Sequence, residues 1–371
     1  MYKHIIGCLL VLLVPFSGFA AYPTCDALTH LTLSTPKGNM TIKERMHDLG
    51  INGLSVALVK DFSVACTFAA GNKDTRNRHV DPSTLFQVAS ISKPITALAV
   101  LKLAEEGQIE LTNSPNKYLT RWKLEPSNTG NTHVAITDVL NHTAGINVPS
   151  FAGYAVGTPL PTTEQILNGE SPSNSPKVNI TSAPKQQYQY SGGGYTVLEM
   201  LIEDVSKQSF TDYVEASILK PLGMHSSHFA QPLDSDLKEQ IALGSSGRLP
   251  ESGGYFNYPE LAAAGMWSNA ADVARLVVGI QTSAKQGMKG ILTPETTKKM
   301  LTPFEDSMSG LGLVIDDMYF SHTGHNNGYV SMMLGHDSAG YGIAVLTSAE
   351  QPAIISEIIV AIGKAEKWED F

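Results

Sequence analysis

Three short motifs carry side chains able to cleave an acyl bond: Ser90-Ile91-Ser92-Lys93, Tyr190-Ser191-Gly192 and His322-Thr323-Gly324. In the first, Ser90 offers a hydroxyl nucleophile, and Lys93, three residues on, shares its face if the turn is helical. A lysine accepts a proton near neutrality only if its pKa falls from about 10.4, through burial or a neighbouring cation. Ser-x-x-Lys also starts at Ser34, Ser114, Ser182, Ser217 and Ser235, so context must choose among the tetrads. A proline inside the tetrads at Ser34, Ser114 and Ser182 makes those loops. Ser235 opens the charged surface stretch SDLKEQ, and Ser217 lies late in the apolar run FTDYVEASILKPLGM. Ser90 alone stands between the strand-like TLFQVA and the helical SKPITALAVLKLAEEG, where Ile95, Ala99, Leu103 and Ala104 recur at helical spacing. Pro94 suits the first turn and Gly107 the exit. At a helix start, unpaired backbone N–H groups and a partial positive charge stabilise an oxyanion forming beside the serine. Taken alone, the tetrad reads first as a capping serine followed by an exposed lysine.

Tyr190 ends the polar stretch QQYQY and precedes a glycine cluster and the helix YTVLEMLIEDV, a turn that can hold its phenol near backbone. With an ordinary pKa near 10 it is a modest base unless a cation such as Lys93 lowers that value. The bland alternative is a core tyrosine with a satisfied hydroxyl. His322 and His325 have H-x-x-H spacing, but no glutamate follows the first histidine and glycine interrupts any helix, so no metal and no cofactor is expected.

The ordered trio resembles the serine β-lactamase and penicillin-binding-protein superfamily, in the branch of class C β-lactamases, D-alanyl-D-alanine carboxypeptidases and related esterases. The resemblance runs from GLSVALVKDFSVACTFAAG through LNHTAGI, YSGGGYTVLEMLIEDVSKQSF, LKPLGMHSSHF and AAAGMWSNAADVARL to HTGHNNGYVSMMLG. It implies Ser90 as the acylated nucleophile, Lys93 as its activator, and Tyr190 as the group passing protons to and from the serine and the leaving group. It further implies an oxyanion hole from the Ser90 and His325 N–H groups, with His322, Thr323 and Gly324 on an edge strand and His322 and Thr323 facing substrate. A small-molecule or peptide substrate is implied.

Two departures bear on that substrate. Efficient class C β-lactamases carry lysine where this chain has His322 and asparagine where it has Gly192. A histidine near its ordinary pKa of about 6.5 is largely neutral, and glycine offers no side-chain amide to the acyl group. Both changes favour a carboxypeptidase-like or esterase-like enzyme acting on a D-alanyl peptide or ester over a dedicated β-lactamase. If His322 recruits a substrate carboxylate, its protonation should strengthen acidic substrates toward pH 6. Two other classes compete. An α/β-hydrolase lipase lacks support because no G-x-S-x-G elbow occurs, and a silent binding or scaffold relative is countered by the intact Ser90, Lys93 and Tyr190.

The surrounding chain must position these groups. Its 371 residues, 42% hydrophobic and 16% charged, suffice for one large catalytic unit, and the net charge of −9 argues against nucleic acid as a partner. Lys3-His4, the apolar IIGCLLVLLVPF and the small Gly18 and Ala20 read as a signal peptide over 1–20, cleaved after Ala20, with an uncleaved anchor as the alternative. An exported protein, periplasmic or secreted, is expected, without a stable membrane span after cleavage. Removing Cys8 leaves Cys25 and Cys66, either a disulfide or a buried thiol plus a stray one. Residues 21–40 read as an extension and 41–371 as the catalytic domain. TIKERMHDLG reads as a helix ending at Gly50; GLSVALV and SVACTFAA read as strands joined at Lys60-Asp61; LGLVI, YVSMMLG and YGIAVLTS are later strands before the helix AIISEIIVAIG. The fold class is therefore α+β, β-lactamase/transpeptidase-like: an antiparallel sheet (about 41–95 and 256–371) flanked by terminal helices, with a mainly helical insertion at about 96–255. The site is expected where the two meet, bordered by the Pro/Ser/Asn-rich stretch 147–186.

Overall fold

The computed structural model describes residues 25–126, 133–250, 254–305 and 307–371, so the segment read as a signal peptide lies outside the described residues. The first helix of the catalytic domain, α1 (Ile42–Leu49), forms where the sequence places it. Thr41 accepts from the Glu44 N–H while the Glu44 carboxylate accepts from the Thr41 N–H, and Gly50 ends the helix in left-handed backbone at φ 66°.

Two long strands follow, β1 (Gly53–Lys60) and β2 (Ser63–Gly71). Their connection is Asp61-Phe62 rather than Lys60-Asp61, because both turn residues must take positive φ (51° and 58°) to match the strand twist, and Lys60 stays in the ladder. Later come α2 (Ser92–Glu105), α3 (Gly192–Ser206) and α4 (Ala270–Ala284). The chain then returns to the sheet through β3 (Val314–Asp316), β4 (Tyr319–Asn326), β5 (Tyr329–His336) and β6 (Gly342–Thr347), and ends in α5 (Pro352–Glu366). The six strands lie in the order β2-β1-β6-β5-β4-β3, every pair antiparallel.

The expected strand LGLVI shrinks to β3. Gly312 turns into positive φ (81°) and its N–H donates to the Leu140 carbonyl, which pulls Leu311–Leu313 out of the ladder and toward the helical part. TLFQVA likewise keeps only Phe86–Gln87 in strand, paired with Trp267–Ser268, before the chain turns into the helix carrying Lys93.

Both sheet faces are covered, so the strands alternate between two apolar layers. Leu54, Val56, Ile343 and Val345 point to the terminal helices, where Ile354, Ile355, Ile358, Ile359 and Ile362 form one stripe of α5. Arg45 of α1 grips Glu357 of α5 through two bonds of 2.8 and 2.7 Å, locking the two helices together. Ala57, Val59, Ala344 and Leu346 point the other way, into the larger core that holds α2, α3 and α4.

Cys25 and Cys66 form a disulfide, which joins the stretch before α1 to β2 across a sequence separation of 41. Of the two readings left open by the sequence, the cross-link is the one found. Replacing both cysteines by alanine should lower the unfolding free energy by about 2–4 kcal/mol. Urea denaturation under non-reducing conditions measures this, and an unchanged midpoint would show that the bond adds no stability.

Candidate active site

The nucleophile candidate sits on a short 3₁₀ turn, Ala89–Ile91, that runs directly into α2. Ala89 is held at φ 48°, left-handed backbone that costs an L-residue on the order of 1 kcal/mol. The neighbouring bonds impose it. Ser92 Oγ donates to the Ala89 carbonyl at 2.7 Å and accepts from the Met266 N–H at 3.1 Å, while the Val88 N–H donates to Met266 O. Ser331 Oγ on β5 donates to the Val88 carbonyl at 2.9 Å, fixing the turn to the sheet. Gly324 completes the joint, since a Cβ there would drive into that same carbonyl.

Lys93 projects from the first turn of α2 and is buried. Its Nζ lies 3.0 Å from Ser90 Oγ and donates to the Ala263 carbonyl at 2.8 Å. Burial pushes its pKa down to about 7, leaving a large neutral fraction near neutral pH. The Ala263 carbonyl is itself positioned: Glu199 of α3 accepts from the Ala262 N–H at 2.9 Å, steadying the turn Leu261–Ala264.

Tyr190 reaches the same point from the segment before α3. Its hydroxyl interacts with the Ser90 hydroxyl, and Lys93 Nζ lies 4.8 Å from its ring centroid. The lowering of its pKa by Lys93 that its chemistry invited is absent. Burial raises the phenol to about 12, against the smaller downward pull of the Ser90 bond, so Tyr190 stays a hydroxyl.

Strand β4 brings the third motif. The hairpin closes on the pair Asn326–Tyr329, so backbone polar groups alternate along β4, and those of Thr323 and His325 point away from β5. β3 covers β4 only at Tyr319–Ser321, which leaves the His325 N–H on an open edge beside Ser90, as an oxyanion donor requires. His322 and His325 leave opposite faces of the strand, His322 buried and His325 exposed, so the two rings do not converge on one ion. His322 Nδ1 lies 2.7 Å from the Thr323 carbonyl. A carbonyl only accepts, so Nδ1 carries the proton and Nε2 is an acceptor in the neutral ring. Burial, reinforced by the Lys93 charge, drives its pKa down to about 3. This corrects the expected gain of charge toward pH 6: His322 stays neutral there and cannot attract a carboxylate by charge.

The cleft above Ser90 holds about 500 Å³. Its walls include Tyr190, His322, Thr323 and His325, and none of the five other Ser-x-x-Lys serines. Sequence reasoning missed several further wall residues. His142, inside the LNHTAGI segment, packs on the Tyr190 ring at 4.4 Å and accepts the Ser191 N–H at 3.1 Å on Nδ1; burial lowers its pKa. Its positive φ (62°) was the kind of special backbone that no local pattern announces. Among the described residues Arg248 is the one arginine or lysine on the cavity wall. Ser150 and Phe151 show that the 147–186 stretch does border the cleft. Phe151 explains Gly192 as well, because a Cβ at 192 would stand 3.0 Å from its ring and 3.2 Å from the Pro149 carbonyl.

A family model described as Beta-lactamase matches residues 39–357. The chain belongs to the beta-lactamase family. Among curated relatives of this beta-lactamase-family protein, protein flp of Staphylococcus aureus (strain N315) is 27% identical over 314 residues, covering 81% of this chain. The chain spans only 61% of that relative's length. The putative penicillin-binding protein PbpX of Bacillus subtilis (strain 168) is 22% identical, covering 85% of this chain and 75% of that one. Of solved structures, the octameric penicillin-binding protein homologue from Pyrococcus abyssi gives a TM-score of 0.70 at 24% identity, covering 86% of this chain and 75% of that one. D-amino acid amidase from Ochrobactrum anthropi SV3 also gives 0.70, at 18% identity, covering 88% and 97%. These likenesses establish the β-lactamase/transpeptidase fold for the beta-lactamase-family chain.

The two neutral histidines make a titration forecast. Both fold with pKa below the unfolded value of 6.5, so just below that pH the unfolded chain binds more protons than the folded one. Stability therefore rises with pH in that window and is lost as pH falls below about 6.5. In ¹⁵N-resolved NMR, His322 should keep its Nδ1–H tautomer from pH 8 to 5, and a midpoint near 6.5 would contradict the assignment.

Proposed function

We propose that this chain is an exported serine hydrolase working through an acyl-enzyme on Ser90, with a D-alanyl peptide or an ester favoured over a β-lactam as acyl donor. One observation carries the reading: a buried lysine with a pKa of about 7 lies 3.0 Å from the Ser90 hydroxyl. Neutral Lys93 takes the Ser90 proton as Oγ bonds to the carbonyl carbon, and the oxyanion is held by the Ser90 and His325 N–H groups. Tyr190 donates its proton to the leaving atom as the old bond breaks and regains one from the Lys93 ammonium. Water then attacks the acyl ester, losing a proton by the same route, and Ser90 is restored.

Substrate preference rests on two wall features. Phe151 crowds the position that a side chain at 192 would take, so the acyl group is expected to meet a ring rather than an amide. With His322 neutral, a substrate carboxylate is left to Arg248. Export is supported by the Cys25–Cys66 disulfide, a bond of oxidising compartments, and by the amino-terminal charge and apolar pattern.

Exposure to a fluorophosphonate or a penicillin followed by intact-mass measurement tests the acyl-enzyme. The adduct should form on the wild type and vanish in Ser90→Ala, and equal labelling of both would remove the hypothesis. Lys93→Ala should slow acylation by roughly 10²–10⁴-fold. In the wild type kcat/KM for a neutral ester should rise with pH through about 7 as Lys93 deprotonates. Acidic substrates should gain nothing from pH 8 to 6 beyond that limb, whereas Arg248→Gln should raise their KM about three- to fivefold. A KM that improves toward pH 6 would return the carboxylate role to a histidine.

A further inference from the structure

Large apolar side chains left in water usually stand singly, and a cluster of them marks a contact surface. Among the described residues six such side chains are exposed by a third or more, and three of them, Tyr188 (47%), Met308 (50%) and Val314 (36%), meet at one side of the cleft mouth. Tyr188, Ser309 and Val314 line both this depression and the Ser90 cavity, so the two spaces are continuous.

Nothing in the packing demands apolar residues there. Val314 is on the outward face of β3, where its same-face neighbour is the polar Asp316, while Ile315 between them is buried. Met308 is presented outward by its neighbours: Ser307 Oγ donates to the Phe304 carbonyl at 2.6 Å and Ser309 Oγ to the Asn141 carbonyl at 2.8 Å. The Ile315 N–H donates to Met308 O at 2.7 Å, and Ser309 bridges to Val314, so Met308 and Val314 are fixed side by side. These bonds hold the backbone of the shelf in place.

Its place beside Tyr190 bears on what it meets. Of the groups on the tetrahedral carbon, the oxyanion points to the His325 N–H and the leaving atom to the proton donor Tyr190. Tyr188 lies on the Tyr190 side, with the His142 ring 4.4 Å from Tyr190 and 5.8 Å from Tyr188. We propose that Tyr188, Met308 and Val314 form the leaving-group subsite and select substrates whose departing alcohol or amine carries an extended apolar group. This rests on the acyl-enzyme reading above and adds a substrate class to it.

The test is a series of acetate esters of straight-chain alcohols from ethyl to hexyl, whose leaving groups share one pKa, against a series of ethyl esters with acyl chains of the same lengths. On the leaving-group series kcat/KM should climb roughly twofold per methylene, half of what full burial of a methylene gives. It should climb less on the acyl series, and Met308→Asp should flatten the first slope. Equal slopes in the wild type, or a slope untouched by Met308→Asp, overturn the proposal while fluorophosphonate labelling of Ser90 leaves the acyl-enzyme intact. Should no ester turn over, the Met308 methyl resonance decides. A shift with hexanol and none with ethanol supports the subsite, and no shift overturns it. Loss of vesicle co-sedimentation in Met308→Asp with flat ester slopes would give the shelf to a membrane surface instead.

Discussion

The structure turns on one buried amine. Lys93 Nζ has an oxygen acceptor at Ser90 and another at Ala263, and its pKa falls to about 7 because the protonated form has been taken out of water. An ammonium in that place must be surrounded by neutral groups for the fall to persist. The neighbours conform: two histidines kept uncharged and a tyrosine kept as a hydroxyl, each by the same burial that acts on the lysine. A carboxylate beside Lys93 would reverse the effect, holding the charge on the amine.

Keeping that group in place requires backbones to approach more closely than side chains allow, which is why glycines gather around it. Gly324 lets β4 lie on the Val88 carbonyl, and Gly192 and Gly193 donate their N–H groups to the Pro149 and Val148 carbonyls of the bordering loop. Gly312 carries the chain across from β3 to the Leu140 carbonyl. Each joins the sheet or a loop to the helical part, so the cleft is an interlock of main chains, with side chains added on its walls.

This explains what could be read from the sequence and what could not. Ser90 and Lys93 were legible because a helix periodicity and two flanking signals set them apart from five similar tetrads. Tyr190 and the third motif were legible through family segments. The covered sheet and α5 follow from runs of apolar residues. The Asp61-Phe62 turn was missed because neither residue advertises positive φ, and β3 was overdrawn because the pull on Gly312 comes from a residue 172 positions earlier in the chain. Arg248, Phe151 and Met308 come from loops without periodicity, brought together only by folding. His322 was named as a candidate residue but not as a chemical species, since its protonation depends on burial that no local pattern reports.

Phe151 and Gly192 constrain one another across the cleft wall. A side chain at 192 enters a tight place, its first carbon 3.0 Å from the ring and 3.2 Å from the Pro149 carbonyl. A larger residue at 192 therefore needs the Phe151 ring and the Pro149 carbonyl to give way by a few tenths of an ångström, and a change at either position alters the room left at the other. Substitutions at the two positions should therefore be non-additive, because they share one wall of the cleft.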